Sequence, residues 1–313
     1  MKRQSETSLR VTFCGVEFPN PLILPSGIAQ EIPKDHELAI KAGAGGITTK
    51  SLTVEPREGY PLPRVIKSPP RGYSIMNAVG LRGPGIKKGC KLIKEFLKSS
   101  PVPVIVSVFA NSVADFKGLA EAICPLHPPI IELNVSCPHV SSEFGKPLGM
   151  GPESAAAAVK AAKKVAGKIP VIVKLTPNVP NIAEVAQACE EAGADGIAAI
   201  NTVGPGMVIN IKTRKPALGN KRGGVSGPAI KPIAVRCVYD IYEAVKIPII
   251  GMGGVSGWED AVEMMMAGAT LVGVGSAVYL KGYRVYGEIK QGLSLYMKQQ
   301  GIKNLKELVG VAH

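Results

Sequence analysis

The sequence predicts a single domain over residues 1–313 of the α/β class, a (β/α)8 (TIM) barrel. Eight short apolar segments bounded by Gly or Pro recur along the chain, as expected for strands covered on both faces. A helix-like stretch follows each strand, and this alternation favours a closed barrel over an open sheet. Hydrophobic residues make up 46% of the chain and charged residues 19%, which suits a large core and argues against disorder.

The elements follow in order after a short N-terminal hairpin. The segment VTFCGVEF predicts this hairpin, with its turn at Cys14-Gly15, against the floor of the barrel. Strands are expected at 22–26, 46–51, 103–109, 129–136, 170–176, 196–202, 247–253 and 271–276. Helices are expected at 33–43, 85–98, 112–123, 153–166, 181–192, 228–245, 257–267 and 283–299. Asn111 and Asn181 are the expected N-caps of the third and fifth helices.

Three long insertions follow predicted strands, at 52–84, 138–152 and 203–227. They are therefore expected at the mouth of the barrel, formed by the carboxyl ends of the strands, where barrel enzymes carry their chemistry. Loops of this length in a compact domain are usually functional or disordered.

The composition argues against several other classes of protein. Aromatic residues are only 5%, too few for a stacking platform that binds single-stranded nucleic acid. The net charge of +13 comes from dispersed Lys and Arg, which favours a solvated basic surface and leaves an acidic partner open. No apolar segment has the length of a membrane span and no signal segment is visible, so we expect a cytoplasmic protein. The six cysteines form no C-x-x-C pair, and no metal site is expected.

Glycines cluster at the ends of the last two strands, in GMGG at 251–254 and in VGVGS, which ends at Ser276. Glycine lets backbone N–H groups approach an anion closely, and these loops commonly bind phosphate in such barrels. A third cluster, GGVSGPAI at 223–230, precedes a helix whose N-terminus favours negative charge. The pattern indicates a phosphate site, with tight turns that bind no ligand as the alternative.

Lysine and asparagine side chains end several predicted strands. Lys50 and Lys174 end the second and fifth strands, where a buried ammonium needs an anion or a carbonyl. Asn134 and Asn201 end the fourth and sixth strands, and Asn77 lies in the first insertion. Amides around one mouth suit a planar polar heterocycle, because each offers a donor and an acceptor. Taken singly, each lysine could also be a solvated residue at the rim of the barrel, and each asparagine could be a turn residue.

Cys137 lies in NVSCPHV, just after the fourth strand, so its thiol is expected at the mouth. Thiolates act as bases or nucleophiles where a local positive charge lowers their pKa. A Cys–His hydrolase with His139 is disfavoured, because no third residue is marked that would orient the histidine. An inert buried thiol is the default for a single cysteine.

Together these residues resemble a class 1 dihydroorotate dehydrogenase, from about Pro21 to Ser276. The motifs are TTKSLT at 48–53, NAVGLRGPG at 77–85, LNVSCPHV at 133–140, VKLTPN at 173–178, INT at 200–202, GGVSGPAI at 223–230, and the pair GMGG and VGVGS. The resemblance implies a barrel with FMN across its mouth. NAVGL and a cysteine base separate the chain from the membrane-associated class 2 enzymes, which use serine.

The resemblance also implies a role for each matching residue. Cys137 would take a proton from C5 of dihydroorotate while a hydride passes from C6 to N5 of FMN. The substrate would be held by Lys50, Asn77, Gly80, Leu81, Asn134, Asn201 and Thr202. FMN would be held by Ser26, Lys50, Ser51, Asn134, Lys174, Ile200, Gly227, Gly253, Gly254, Gly275 and Ser276.

NAVGLRGPG is closer to the class 1B branch, whose catalytic subunit pairs with an electron-transfer subunit that carries FAD and a 2Fe–2S cluster and reduces NAD⁺. The resemblance thus implies a homodimer core, a heterotetramer where that partner is present, and FAD and the cluster only with the partner. Fumarate or another oxidant is left open as the acceptor.

Two departures from the family pattern bear on the contacts to the ring. His139 replaces an asparagine and is shared with dihydropyrimidine dehydrogenases, and Ser107 stands where relatives often have asparagine. NAVGL favours orotate over uracil, because dihydropyrimidine dehydrogenases lack it. The alternative is a flavoenzyme of that type, which acts on dihydrouracil. A phosphate-binding barrel without redox chemistry and a basic nucleic-acid-binding protein are the readings outside this family, and the second has no supporting motif.

Overall fold

The computed structural model describes residues 8–29, 31–67, 74–136 and 148–313. Within these ranges the strands are β1 Val11–Phe13, β2 Val16–Phe18, β3 Leu22–Leu24, β4 Gly46–Thr48, β5 Val65–Lys67, β6 Ile75–Asn77, β7 Val104–Val108, β8 Ile130–Asn134, β9 Val171–Lys174, β10 Gly196–Ala199, β11 Val203–Gly206, β12 Ile209–Asn210, β13 Lys215–Pro216, β14 Gly223–Ser226, β15 Ile249–Met252 and β16 Ala269–Gly273.

The α-helices of the same ranges pack outside the barrel strands or follow them in the chain. They are α1 Lys34–Lys41, α2 Gly85–Ser99, α3 Val113–Ile123, α4 Pro152–Ala166, α5 Ile182–Glu191, α6 Lys231–Ala244, α7 Trp258–Met266, α8 Ser276–Lys281 and α9 Val285–Gln300. No helix of the described ranges combines the length and apolar character that crossing a membrane requires.

Eight parallel strands of the described chain form a closed barrel, which confirms the predicted fold. Around the barrel they run β3, β4, β7, β8, β9, β10, β15 and β16, and β16 pairs with β3 to close it. Each overlaps a predicted strand. Their residues are buried almost throughout, because helices cover the outer face and side chains fill the interior.

The N-terminal hairpin of β1 and β2 closes the amino-terminal end of the barrel, as predicted. Phe13 and Phe18 are 1% exposed and meet edge to face, with ring centroids 6.4 Å apart. The Cys14 thiol donates a hydrogen bond of 3.1 Å to the carbonyl of Asp195, just before β10 begins. The mouth therefore lies at the opposite end.

Two of the insertions pair with each other, which the sequence did not predict. Strands β5 and β6 come from the insertion at 52–84, and β11 and β14 come from the one at 203–227. They form one antiparallel sheet in the order β11, β14, β6, β5, with Asn77 of β6 opposite Gly224 of β14. We call it the insertion sheet. The insertion at 138–152 lies mostly outside the described residues.

The observed N-terminal caps of the helices agree in part with the predicted ones. Asn181 caps α5 as predicted, its side chain accepting the Ala183 N–H at 3.1 Å. The prediction for α3 was wrong: Ser112, rather than Asn111, is the cap and accepts the Asp115 N–H at 3.0 Å. The short helix α8 after the last strand was not predicted.

Candidate active site at the barrel mouth

Two adjoining clefts open at the carboxyl ends of the barrel strands. The first has a volume of about 820 Å³ and the second about 740 Å³, and both are open to solvent. Their common wall is formed by Ser26, Gly27, Asn77, Val79, Lys174, Asn201 and Thr202. A ligand in one cleft would therefore touch residues that also contact a ligand in the other.

Nearly all the predicted site residues of the described chain line these clefts. Those in the first cleft are Ser26, Asn77, Lys174, Ile200, Asn201, Thr202, Gly253, Gly254, Gly275 and Ser276. Those in the second are Ser26, Lys50, Ser51, Asn77, Gly80, Leu81, Asn134, Lys174, Asn201 and Thr202. Gly227 lines neither, although its neighbour Ser226 lines the first. Cys137 and His139 lie outside the described residues.

Lys174 is the buried cation of the common wall. It ends β9, is only 4% exposed, and its ammonium donates a 3.1 Å hydrogen bond to the Ser26 hydroxyl. Burial lowers the pKa of Lys174, and the charge of Glu132 partly opposes this effect. Among the described residues its hydrogen-bond partner is thus a neutral hydroxyl, and the ammonium can stabilise negative charge on a bound ligand.

Lys50 is also a buried cation, and it lines only the second cleft. It follows β4 and is 7% exposed. Burial, and then the charge of Arg82, lower the pKa of Lys50 to about 8. An anion bound beside Lys50 would reverse this effect by favouring the protonated form.

A buried chain of hydrogen bonds links the barrel interior to both clefts. The hydroxyl of Ser107 donates to the Glu132 carboxylate at 2.7 Å and lies 2.9 Å from the Ser51 hydroxyl. The Asn134 amide donates to Ser51 at 3.1 Å. Ser136 donates to the Asn134 carbonyl oxygen at 2.8 Å, and Asn201 donates to Ser136 at 2.6 Å. The side chain of Ser107, which belongs to this series of hydrogen bonds, is fully buried and lines neither cleft.

Glycine is required at the end of β15 by both conformation and space. Gly253 and Gly254 have φ values of +132° and +80°. A Cβ on Gly253 would lie 2.6 Å from the Ala234 methyl, and one on Gly254 would lie 2.7 Å from the Lys231 Cβ. The backbone here passes close to α6, so the glycines shape the edge of the first cleft.

Asn178 fixes the insertion sheet to the barrel. Its amide donates to the Thr202 carbonyl at 3.1 Å, and its side-chain oxygen accepts the Gly204 N–H at 2.8 Å. Thr202 lies in the common wall, directly before β11. The position of that wall therefore depends on Asn178.

Comparison with known proteins agrees with this geometry. The family model described as dihydroorotate dehydrogenase matches residues 8–297. A protein of Pyrococcus abyssi named dihydroorotate dehydrogenase B (NAD(+)), catalytic subunit, is 45% identical over 97% of this chain and 99% of its own. The chain belongs to the dihydroorotate dehydrogenase family. Proteins of the same name from Thermococcus kodakarensis and Methanocaldococcus jannaschii are 43% and 41% identical, over 97% and 98% of this chain and 98% and 99% of their own.

Membership of the dihydroorotate dehydrogenase family confirms the resemblance drawn from the motifs, and the relatives' names agree with its class 1B branch. Sequence reasoning missed Glu132, Ser136 and Asn178 as parts of the site, although all three stand inside the quoted motifs or beside them. It also missed the apolar wall of the first cleft, which includes Ile28, Val65, Ile75, Ile230, Met252 and Tyr279.

Within the described part of the chain, no group of three or more His, Cys, Asp or Glu residues is placed to hold a metal ion. The five cysteines that it contains, Cys14, Cys90, Cys124, Cys189 and Cys237, are all free thiols. The predicted base, Cys137, stays a prediction.

Proposed function

We propose that this protein oxidises (S)-dihydroorotate to orotate in the biosynthesis of UMP, with FMN as its cofactor. The observation that carries the proposal is Lys174, a buried ammonium in the wall common to two adjoining clefts. An ammonium held there suits an electron-rich heterocycle, because it is desolvated and already in position when negative charge develops. Membership of the dihydroorotate dehydrogenase family supports the same reaction.

The residues of the first cleft fit FMN. Gly253, Gly254, Gly275 and Ser276 border one end, where close backbone approach and N–H groups suit a phosphate. Apolar side chains such as Ile200 and Met252 continue the wall and suit an aromatic ring. Ser26 and Lys174 supply polar contacts for the edge of that ring, and Lys50, Ser51 and Asn134 would reach it from the second cleft.

The second cleft fits the substrate. Lys50 would bind the carboxylate of dihydroorotate, and Asn77, Asn134, Asn201 and Thr202 would bind the ring amides together with the backbone N–H groups of Gly80 and Leu81. When bound, FMN supplies the acceptor for the hydride that leaves C6. The C5 proton passes to the Cys137 thiolate, because this weakly acidic C–H needs a base placed close to it. Lys50 would hold the substrate and Lys174 the flavin ring, so that the two reacting rings keep a fixed position relative to each other.

We infer the electron acceptor from the relatives, which are named NAD(+)-dependent catalytic subunits. A cytoplasmic partner subunit that carries FAD and a 2Fe–2S cluster would take electrons from a homodimer of this chain and pass them to NAD⁺. Purified alone, the chain should then reduce a dye with dihydroorotate but should reduce NAD⁺ slowly. Rapid reduction of NAD⁺ by the isolated chain would contradict this inference.

An anaerobic titration of the purified protein with dihydroorotate tests the main proposal. We expect a yellow protein whose flavin absorbance is bleached promptly by dihydroorotate. If the flavin of a yellow protein is bleached by dihydrouracil but not by dihydroorotate, dihydroorotate is not the substrate. A colourless protein that takes up no FMN would overturn the flavoenzyme itself.

A further inference from the structure

Glu132 is a buried carboxylate that the proposed reaction does not use. It lies in the middle of β8, is 1% exposed, and faces the barrel interior below Asn134. One oxygen, Oε1, accepts the Ser107 hydroxyl, whereas Oε2 has no hydrogen-bond partner among the described residues. A carboxylate held in this way is costly, so its place in the hydrogen-bond chain calls for a physical account.

The direction of the hydroxyl groups follows from Glu132. A carboxylate can only accept, so Ser107 must give it the single hydroxyl hydrogen that it has. Ser107 must then accept from Ser51 across their 2.9 Å contact. Ser51 has now used its own hydrogen and can only accept in turn, which it does from the amide nitrogen of Asn134.

The direction of the Asn134 amide follows from the hydroxyl groups, and that of the Asn201 amide follows from the backbone N–H of Thr202. With its nitrogen turned towards Ser51, Asn134 presents its oxygen to the Ser136 hydroxyl. Ser136 then accepts from the Asn201 nitrogen, and the Asn201 oxygen accepts the Thr202 N–H at 2.8 Å. Every bond from Asn201 to Glu132 thus points the same way, with hydrogen donated towards the carboxylate.

We propose that Glu132 is a positioning residue that fixes the direction of the Ser107 and Ser51 hydroxyls and thereby decides which amide atom Asn134 offers to a ligand. Asn134 keeps its second N–H for the cleft, which suits a carbonyl or carboxylate oxygen of the ligand. The part that concerns orotate rests on the proposed function. The part that concerns direction rests on the hydrogen bonds alone.

Neutral glutamine at the same position would release the direction. Its amide can donate to Ser107, and then the hydroxyls of Ser107 and Ser51 can turn round, so that Ser51 donates towards Asn134. A turned Asn134 amide would accept from Ser51 but would no longer accept the Ser136 backbone N–H, which lies 3.4 Å from its oxygen. Asn134 would offer oxygen where it had offered N–H. Hydrogen-bond chains of this kind are cooperative, because each bond polarises the next, so a change at Glu132 is felt at Asn134.

Neutron diffraction from crystals of the deuterated wild-type protein tests the direction without any substrate. We expect deuterium on Ser107 directed at Glu132, on Ser51 directed at Ser107, and on Ser136 directed at Asn134. Deuterium on Glu132, or a Ser51 deuterium directed at Asn134, would overturn the proposal.

Orotate binding to Glu132→Gln, measured by calorimetry on the FMN-loaded protein, tests the consequence. We expect at least a tenfold loss of affinity and a matching rise in KM, with smaller changes in kcat, FMN content and the unfolding midpoint. Thr48→Val is the matched control, because Thr48 is also buried in a barrel strand and its hydroxyl has no partner among the described residues. Its orotate affinity should be unchanged.

The outcomes separate this proposal from the proposed function. A folded Glu132→Gln protein that binds orotate as the wild type does would overturn the role of Glu132. Equal losses in Glu132→Gln and Thr48→Val would also overturn it, because they would reflect a general disturbance of the barrel interior. A wild-type protein that binds no orotate would refute the proposed substrate, and the neutron map would still decide the direction of the chain.

Discussion

At the scale of the residue, two buried lysines line the clefts at the mouth. Lys50 and Lys174 are each less than a tenth exposed, and burial lowers the pKa of both. A buried ammonium is costly, and an anionic ligand bound beside it stabilises its charge further.

Orotate affinity should fall above about pH 8 because Lys50 then loses its charge. The pKa of Lys50 is lowered to about 8, so the protonated fraction in the free protein decreases above that value. In the limiting case the affinity decreases about tenfold per pH unit. Calorimetric titration with orotate between pH 7 and pH 9 measures this, and Lys50→Ala should bind weakly with a flatter pH profile while it retains FMN. An identical pH profile in Lys50→Ala would contradict the assignment.

Cys137→Ser should retain FMN and lose turnover at neutral pH by about 10²–10⁴-fold, the usual contribution of a general base. Stopped-flow reduction by dihydroorotate measures the step directly. Cys90→Ser, at a partly buried cysteine of α2, is the matched control, and its flavin should be reduced at the wild-type rate. Wild-type reduction by Cys137→Ser with full FMN would show that another group is the base.

Residues that touch the clefts were predictable because they stand at strand ends inside recognisable motifs. Lys50, Asn134 and Lys174 are of this kind, and the structure brings them to one cleft. Glu132 was not predictable, because a single acid within an apolar strand carries no local sign of a partner. Its partner, Ser107, is 25 residues away on the neighbouring strand, and only the barrel register brings them together.

At the scale of the element, local sequence predicted the barrel strands and most helices but not the insertion sheet. Each barrel strand is apolar, and a helix follows it, so the pattern repeats along the chain. The insertion strands have two to four residues, and one of them, β11, is largely glycine and proline in Val203–Gly206. The pairing of β6 with β14 joins Asn77 to Gly224, far apart in the chain, and these short strands show no clear alternation.

The glycine turn after β15 should be sensitive to a single methyl group. Gly254→Ala should weaken FMN binding and lower the unfolding midpoint, because φ is +80° and the new Cβ would lie 2.7 Å from that of Lys231. Gly118→Ala in α3 is the matched control, since nothing lies within 4 Å of its new Cβ. There we expect full FMN content and a gain of about 0.5–1 kcal/mol in the free energy of unfolding. Dialysis measures FMN retention, and chemical denaturation measures the free energy of unfolding. Normal FMN retention by Gly254→Ala would contradict the proposed phosphate site at this turn.

At the scale of the whole molecule, the two ends of the barrel have separate tasks. The hairpin closes the floor with apolar side chains, and the described site residues lie at the mouth. Stability and binding should therefore respond to different substitutions.

Phe13→Ala should destabilise the protein by about 3–5 kcal/mol, the usual loss for a buried phenylalanine. Phe13 is 1% exposed and packs at the floor, so the orotate affinity of the protein that remains folded should not change. Leu62→Ala, at a side chain that is 76% exposed, should leave the denaturation midpoint unchanged. A large loss of orotate affinity in folded Phe13→Ala would contradict the separation of floor and mouth.

The insertion sheet also limits how substrate specificity could be transferred between barrels of this kind by exchange of their loops. Loops after barrel strands are commonly treated as independent modules that can be exchanged one at a time. Here Asn77 of the first insertion pairs with Gly224 of the other, and Asn178 ties the second insertion to the barrel. An exchanged loop would leave its partner strand with an unpaired edge over the mouth. Recombination should therefore succeed when both insertions, with the segment around Asn178, are moved as one unit.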